Sequence, residues 1–197
     1  MNASRLLLAI ALSLAVPTSS AVANETFKID PAHSTITFKV RHLLGTAKGK
    51  FTKFSGTIEV DREQPEKSSV TVSIQTASID TAIAKRDEHL RSEDFFSVQK
   101  FPEITFKSRR VKQTGPTAGE ITGDLTMHGV TREIVLRVEL LGTPESTAKN
   151  QTTRWRVTTA PIKRSQFRLT WSKSVEAISM IGDDVTVDIQ IEAARAK

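Results

Sequence analysis

The feature that most constrains this chain is a two-residue rhythm of apolar and polar side chains that returns eight times along its length. A period of two puts alternate residues on opposite faces of an extended strand, so each segment has one face to bury and one to leave in water. Ile36, Phe38 and Val40 share one parity, while Thr35, Thr37, Lys39 and Arg41 take the other. The pattern recurs through Phe54–Val60, Val70–Thr76, Ile104–Ser108, Ile121–Met127, Ile134–Leu140, Trp155–Thr159 and Val185–Ala193. Turn chemistry separates these runs: Asp61–Ser69 around Pro65, Thr114-Gly115-Pro116, His128-Gly129, and the polar loop Gly142–Thr153. Most connections are short, so consecutive strands are expected to pair antiparallel.

One segment breaks the rhythm. Between the third and fourth strands, Ile79, Ile83, Arg86 and Leu90 recur at helical spacing, with Ser78 or Asp80 as the N-cap. Ser92-Glu93-Asp94 then reads as a second helical turn carrying Phe95 and Phe96. The fold class is therefore all-β, with eight antiparallel strands and a short helical insertion between strands three and four. Eight half-buried strands hide their apolar faces in either two packed sheets or one closed barrel, and periodicity fits both. The inward set mixes bulky Phe38, Phe54, Phe106 and Trp155 with small Gly56, Thr76, Gly123 and Thr159. In a barrel of about eight strands the large residues fill the interior and the small ones leave space for one ligand, which favours the barrel.

Composition removes several kinds of chemistry. The chain has no cysteine, which excludes disulfide scaffolds, thiolate zinc sites, iron–sulfur ligation and cysteine nucleophiles. Residues 1–23 differ from the rest: one positive charge at Arg5, an apolar run Leu6–Val16, and Ala21-Val22-Ala23 before Asn24. That is the pattern of a cleaved signal peptide, too short to span about 30 Å of hydrocarbon. The expectation is a mature chain, 24–197, forming one barrel domain in the periplasm.

The residues resemble those of the YceI-like family, lipid- or polyisoprenoid-binding proteins with an extended lipocalin-like barrel. The resemblance begins with Asp30-Pro31-Ala32-His33-Ser34 leading into Ile36, Phe38, Val40 and His42, and continues through Gly49, Phe51, Phe54 and Gly56. Its most specific piece is Ser78-Ile79-Asp80-Thr81 followed by Arg86-Asp87, His89-Leu90-Arg91-Ser92 and Asp94-Phe95-Phe96. Phe101-Pro102, Ile104, Phe106 and Ser108 follow, and Gly123 through Thr131 completes it. The resemblance implies an elongated interior holding a polyprenol derivative or an isoprenoid quinone, in an exported protein of a family where homodimers occur. It also implies that Leu90, Phe95 and Phe96 line the cavity beside the helical segment. Joined to the inward strand faces, the expected ligand-binding set is Phe38, Val40, Phe54, Ile74, Ile83, Leu90, Phe95, Phe96, Phe106, Leu125, Met127, Trp155, Phe167 and Trp171.

Other features have plainer readings beside the functional ones. His33, His42, His89 and His128 show no metal-ligand spacing, so turn and capping roles are expected, with no metal and no cofactor apart from the bound lipid. Arg86, Asp87 and Arg91 are candidates for holding a polar head group, since guanidinium matches phosphate and quinone oxygens; the plainer reading is a local ionic network. Basic clusters at Lys48, Lys50 and Lys53, at Arg109, Arg110 and Lys112, and at Lys163, Arg164 and Arg168 contribute to the net charge of +6. They suit transient contact with an anionic membrane surface, or simply a solvated basic face; the absence of a dense basic stripe with interleaved aromatics argues against nucleic acid. No nucleophile elbow, Walker loop or dinucleotide fingerprint is present, so no catalytic residue is assigned and a small secreted hydrolase ranks last. The runner-up is a secreted β-sandwich interaction module whose apolar stripe close-packs into a filled core.

Overall fold

The computed structural model describes residues 25–42, 45–142, 152–170 and 181–196. The expected signal peptide, Trp171 and most of the Gly142–Thr153 loop lie outside them. In chain order the elements are β1 (Glu25–Ile29), β2 (Thr35–His42), β3 (Gly45–Phe51), β4 (Phe54–Val60), β5 (Ser69–Gln75), β6 (Ile79–Asp80), α1 (Ala84–Arg91), β7 (Glu103–Gln113), β8 (Ala118–Met127), β9 (Val130–Gly142), β10 (Thr152–Thr159), β11 (Ile162–Lys163) and β12 (Ile181–Arg195).

These strands resolve into eight staves because four staves are interrupted. β1 and β2 both run antiparallel along β12, with Ile29 opposite Ala193 and, beyond a short turn, Thr35 opposite Gln190. β4 and β3 follow β1 and β2 in the same way, β5 and β6 follow β4 and β3, and β10 and β11 follow the other side of β12. β7, β8 and β9 complete an antiparallel meander, and the pairing of β1 with β12 closes the ring. The eight-stranded barrel expected from the alternation is thus what forms, and the sandwich alternative falls because the sheet closes on itself.

Side-chain and backbone hydrogen bonds carry the ladder across the interruptions. At the first, Asp30 Oδ1 accepts the Ala32 N–H at 2.9 Å, and Ser34 Oγ stands in for a ladder group, accepting from Glu192 N at 2.9 Å and donating to Glu192 O at 3.2 Å. At the second, Thr52 N donates to Ser78 O and Gln75 N donates to Lys53 O. The ladder therefore survives where the strand geometry does not, as buried backbone groups require. Between β8 and β9, His128 (φ 51°) and Gly129 (φ 72°) form the two-residue hairpin turn that needs left-handed backbone at both positions.

The helical insertion is present but its start differs from the sequence reading. Ile83 is the N-cap and its hydrocarbon side chain offers no cap, while the expected caps are engaged elsewhere: Asp80 accepts the Ala82 N–H at 2.8 Å and Ser78 donates to the Gln75 carbonyl at 2.7 Å. Ile79 belongs to β6, so its spacing to Ile83 spans a strand and a turn, not a helix. Ser92–Phe96 forms successive turns rather than a second helical turn, with Phe95 N donating to Ser92 O.

Candidate functional site

The inner parity of every stave faces one continuous cavity of about 610 Å³. Along β12 it is lined by Val185, Val187, Ile189 and Ile191, along β9 by Ile134, Leu136, Val138 and Leu140, and along β5 by Val70, Val72 and Ile74. From Ile181 to Ile191 the wall runs ten residues, roughly 33 Å along the strand and about 25 Å along the axis at a tilt near 40°.

Each end carries a polar rim. One is built from the β4–β5 and β7–β8 turns, with Arg62, Lys112, Gln113 and Thr117 on the lining. Here the Arg62 guanidinium reaches across to Glu25 at 2.7 Å and 2.8 Å, and this hydrogen bond, helped by Arg62 and Arg195 charges, holds the Glu25 carboxyl below its ordinary range despite partial desolvation. The other rim is made by the β2–β3 hairpin, α1 and the segment after β11, with His42, Thr81, Arg86, His89 and Arg164 on the lining.

The second rim is tied together through Thr81. Asp87, 7% exposed, accepts from both the backbone N–H (2.9 Å) and the hydroxyl of Thr81. Arg86 Nε donates to Thr81 Oγ1 at 2.7 Å and its Nη2 to Thr81 O at 2.9 Å. Arg91 donates to the carbonyls of Ala77 and Ile79. Of the three head-group candidates, only Arg86 reaches the cavity; Asp87 and Arg91 fasten α1 to the staves beneath it.

The structure brings Phe38, Val40, Ile74, Leu90, Phe95, Phe96, Phe106, Leu125, Met127 and Trp155 onto the cavity wall. Three expected positions lie elsewhere. Ile83 is 51% exposed at the tip before α1, because the helix turns other residues inward. Phe54, 7% exposed, packs into a cluster with Phe27, Ile29, Ile36 and Ile191, and Phe167, 1% exposed, is sealed into a second cluster with Ile79 and Phe106. Trp171 is outside the described residues.

The small inward residues also act differently from expectation. A side chain at Gly123 meets Phe106 Cζ at 2.6 Å, one at Gly56 meets Ile29 Cδ1 at 2.6 Å, and the Phe38 ring covers Gly49. The glycines give room to neighbouring large side chains that lie flat on the wall, and the free space sits further in. Thr76 is a buried residue of a 3-10 turn and does not line the cavity, whereas Thr159 does.

Arg164 is the residue that sequence reasoning missed. In sequence it belongs to a basic cluster expected at the surface, yet it is 6% exposed, and its guanidinium donates to the carbonyls of Gly182 (2.9 Å), Leu169 (2.7 Å) and Ile181 (3.3 Å) beside the cavity. Nothing in its spacing separates it from Lys163 or Arg168. Among the described residues no three His, Asp or Glu side chains come together in a way that holds a metal.

A closed up-and-down barrel of eight staves around an open apolar interior defines a lipocalin-like barrel. The chain belongs to the YceI-like family, matching its domain over residues 27–193. It is 40% identical over 134 residues to a UPF0312 protein of Vibrio parahaemolyticus, covering 68% of this chain and 71% of that one. It is 44% identical over 133 residues to Protein YceI of Salmonella newport, covering 66% and 69%. Among solved structures it resembles the Campylobacter jejuni YceI protein (TM-score 0.69, 32% identity, 80% of this chain and 90% of that one). The same fold recurs in Burkholderia cenocepacia BcnA (TM-score 0.73, 23% identity, 83% and 98%) and in a polyisoprenoid binding domain from Saccharophagus degradans (TM-score 0.64, 18% identity, 86% and 98%).

Proposed function

We propose that this barrel encloses one long-chain isoprenoid, such as a polyprenol or isoprenoid quinone, with its tail along the barrel axis and its polar end at the rim that carries Arg86. The reading makes the protein a periplasmic carrier, store or sequestering protein and not an enzyme. The observation that carries it is the continuous apolar cavity of about 610 Å³ between two polar rims, within the usual range of roughly 300–1,000 Å³ for small-molecule sites. The fold it shares with a domain described as polyisoprenoid binding adds support. Each CH₂ moved from water to this wall gains about 0.8 kcal/mol, so a tail of about twenty carbons gains roughly 16 kcal/mol before ordering costs of several kcal/mol. Apolar burial therefore suffices for tight binding without a specific polar anchor. A bilayer offers the same tail the same gain, so net transfer depends on where the barrel meets its cargo.

The test is mass spectrometry of organic-extractable material from the purified mature protein, followed by titration of the emptied barrel with a fluorescent isoprenoid analogue. One isoprenoid per chain and saturable uptake are expected. A barrel that emerges empty and takes up no analogue overturns the reading.

A further inference from the structure

The two staves whose inner faces supply Phe38, Val40 and Ala47 to the cavity carry an unusual outer face. Lys39 and Lys48 stand directly opposite each other across β2 and β3, both exposed, with Arg41 one step nearer the hairpin tip and Lys50 one step further from it. Like charges placed directly across a strand pair destabilise it. Lys50 has Asp80 at 3.8 Å, while Lys39, Arg41 and Lys48 have no acidic partner among the described residues. The acids next to the patch are Asp80, Asp183, Asp184 and Asp188; Asp183 accepts from Ser165 at 2.9 and 2.8 Å and Asp184 is taken by Lys163 at 3.0 Å.

Beside these cations stands an apolar tip. Ala82, Ile83 and Ala84 are all exposed, Ile83 by 51%, and Lys85 follows them. The tip is held in place: Ala82 has φ 61°, a left-handed conformation that alanine adopts at a cost, and its N–H is fixed by the same Asp80 carboxylate that faces Lys50. Directly after Asp80, Thr81 reaches the cavity lining, as does Arg86. One rigid face thus joins uncompensated cations, an exposed isoleucine and a mouth of the cavity.

We infer that this face docks the barrel on an anionic bilayer, with Lys39, Arg41, Lys48, Lys50 and Lys85 against the head groups and Ile83 at the head-group–acyl boundary, so that the Arg86 mouth opens onto lipid. Cations close to an anionic surface and an apolar side chain at its boundary each add to such binding. A bilayer is the partner that satisfies both and also holds the kind of guest the cavity fits; the inference rests on the isoprenoid-binding reading above.

The experiment is flotation with phosphatidylcholine vesicles, with and without phosphatidylglycerol, combined with uptake of a fluorescent isoprenoid analogue from solution. The parent is expected to float with phosphatidylglycerol vesicles and to release at high salt. K39Q/K48Q weakens that binding roughly 25-fold, and I83S weakens it about tenfold. K67Q/K107Q, which removes the same charge elsewhere on the surface, leaves it within about twofold. Uptake from solution stays at the parent level in all three, which also shows that they fold. Equal flotation without phosphatidylglycerol, or equal weakening in K67Q/K107Q and K39Q/K48Q, overturns the inference. Loss of uptake in the parent with flotation intact overturns the isoprenoid reading and leaves the docking face standing.

Discussion

Replacing Gly123 with alanine tests whether the glycines of the wall serve their neighbours or the cavity. A Cβ at this position lies 2.5 Å from the Lys107 carbonyl and 2.6 and 2.8 Å from two atoms of the Phe106 ring. The carbonyl belongs to the β7–β8 ladder, where Ser108 faces Gly123, so it yields only by disturbing register. The ring is 7% exposed and lines the cavity, which offers it space to move into. Overpacking of this kind costs about 1–3 kcal/mol. Restricting the unfolded chain returns about 0.4–1 kcal/mol. The net loss is about 1–2 kcal/mol, or roughly 2–8 °C in Tm at this chain length. Urea unfolding should show a lower midpoint with an unchanged slope. In a Phe106→Leu background, where the ring is gone, the cost of Gly123→Ala should shrink by at least about 0.5 kcal/mol. The same ring movement lowers affinity for the isoprenoid analogue. If Gly123→Ala is as stable as the parent, or costs the same with Leu at 106, the packing argument is wrong.

Ile189→Trp places an indole in the middle of the cavity wall, so titration with the analogue should show affinity falling at least about tenfold while stability changes by under about 1.5 kcal/mol; unchanged affinity would mean that the guest does not lie there. Thr76 Oγ1 is buried without a hydrogen-bond partner among the described residues, so Thr76→Val should be neutral or stabilising by about 1–2 kcal/mol in urea melts, and a marked loss would reveal a partner. The exposed His33 ring donates to Asp30 at 2.8 Å, and that hydrogen bond raises its pKa above the ordinary 6.5. The contribution from His33 protonation is complete below 6.5, where Asp30, held below its ordinary 3.8, is still ionised, and disappears as pH rises through the raised His33 value. Asp30→Asn should return the His33 titration, followed by NMR, toward 6.5, and an unmoved curve sinks the assignment.

Alternation located a part of every stave because the barrel buries one parity throughout. The stretches it missed have physical reasons. β3 offers Ala47 and Gly49 at inward positions, and the bulk that a strand normally carries there comes instead from Phe38 on the neighbouring stave. β1 has only two apolar side chains, Phe27 and Ile29, too few for a rhythm. The start of α1 is not legible in the sequence because Asp80 and Ser78 satisfy other backbone groups, a choice set by tertiary position and not by local sequence. Most of the expected wall residues sit on the cavity, but inward parity does not separate lining from filler: Phe54 and Phe106 share that parity, and only the second meets open space. Arg164 illustrates the opposite failure, since burial of a guanidinium depends on carbonyls at 169, 181 and 182 that meet only once the ring has closed.

That closure has a kinetic side. The Ser34 hydroxyl and the Glu192 backbone join the two margins of the sheet across 158 positions of sequence. Until residues so distant find each other, the meander is an open ribbon with raw margins and a greasy concave side turned to water, the state in which such chains clump. Bringing remote segments together must precede the contacts that reward it, so closure over this separation costs more chain entropy than forming any of the hairpins. On the isoprenoid-binding reading proposed above, a guest that coats the concave side before the seam shuts would spare the ribbon that exposure.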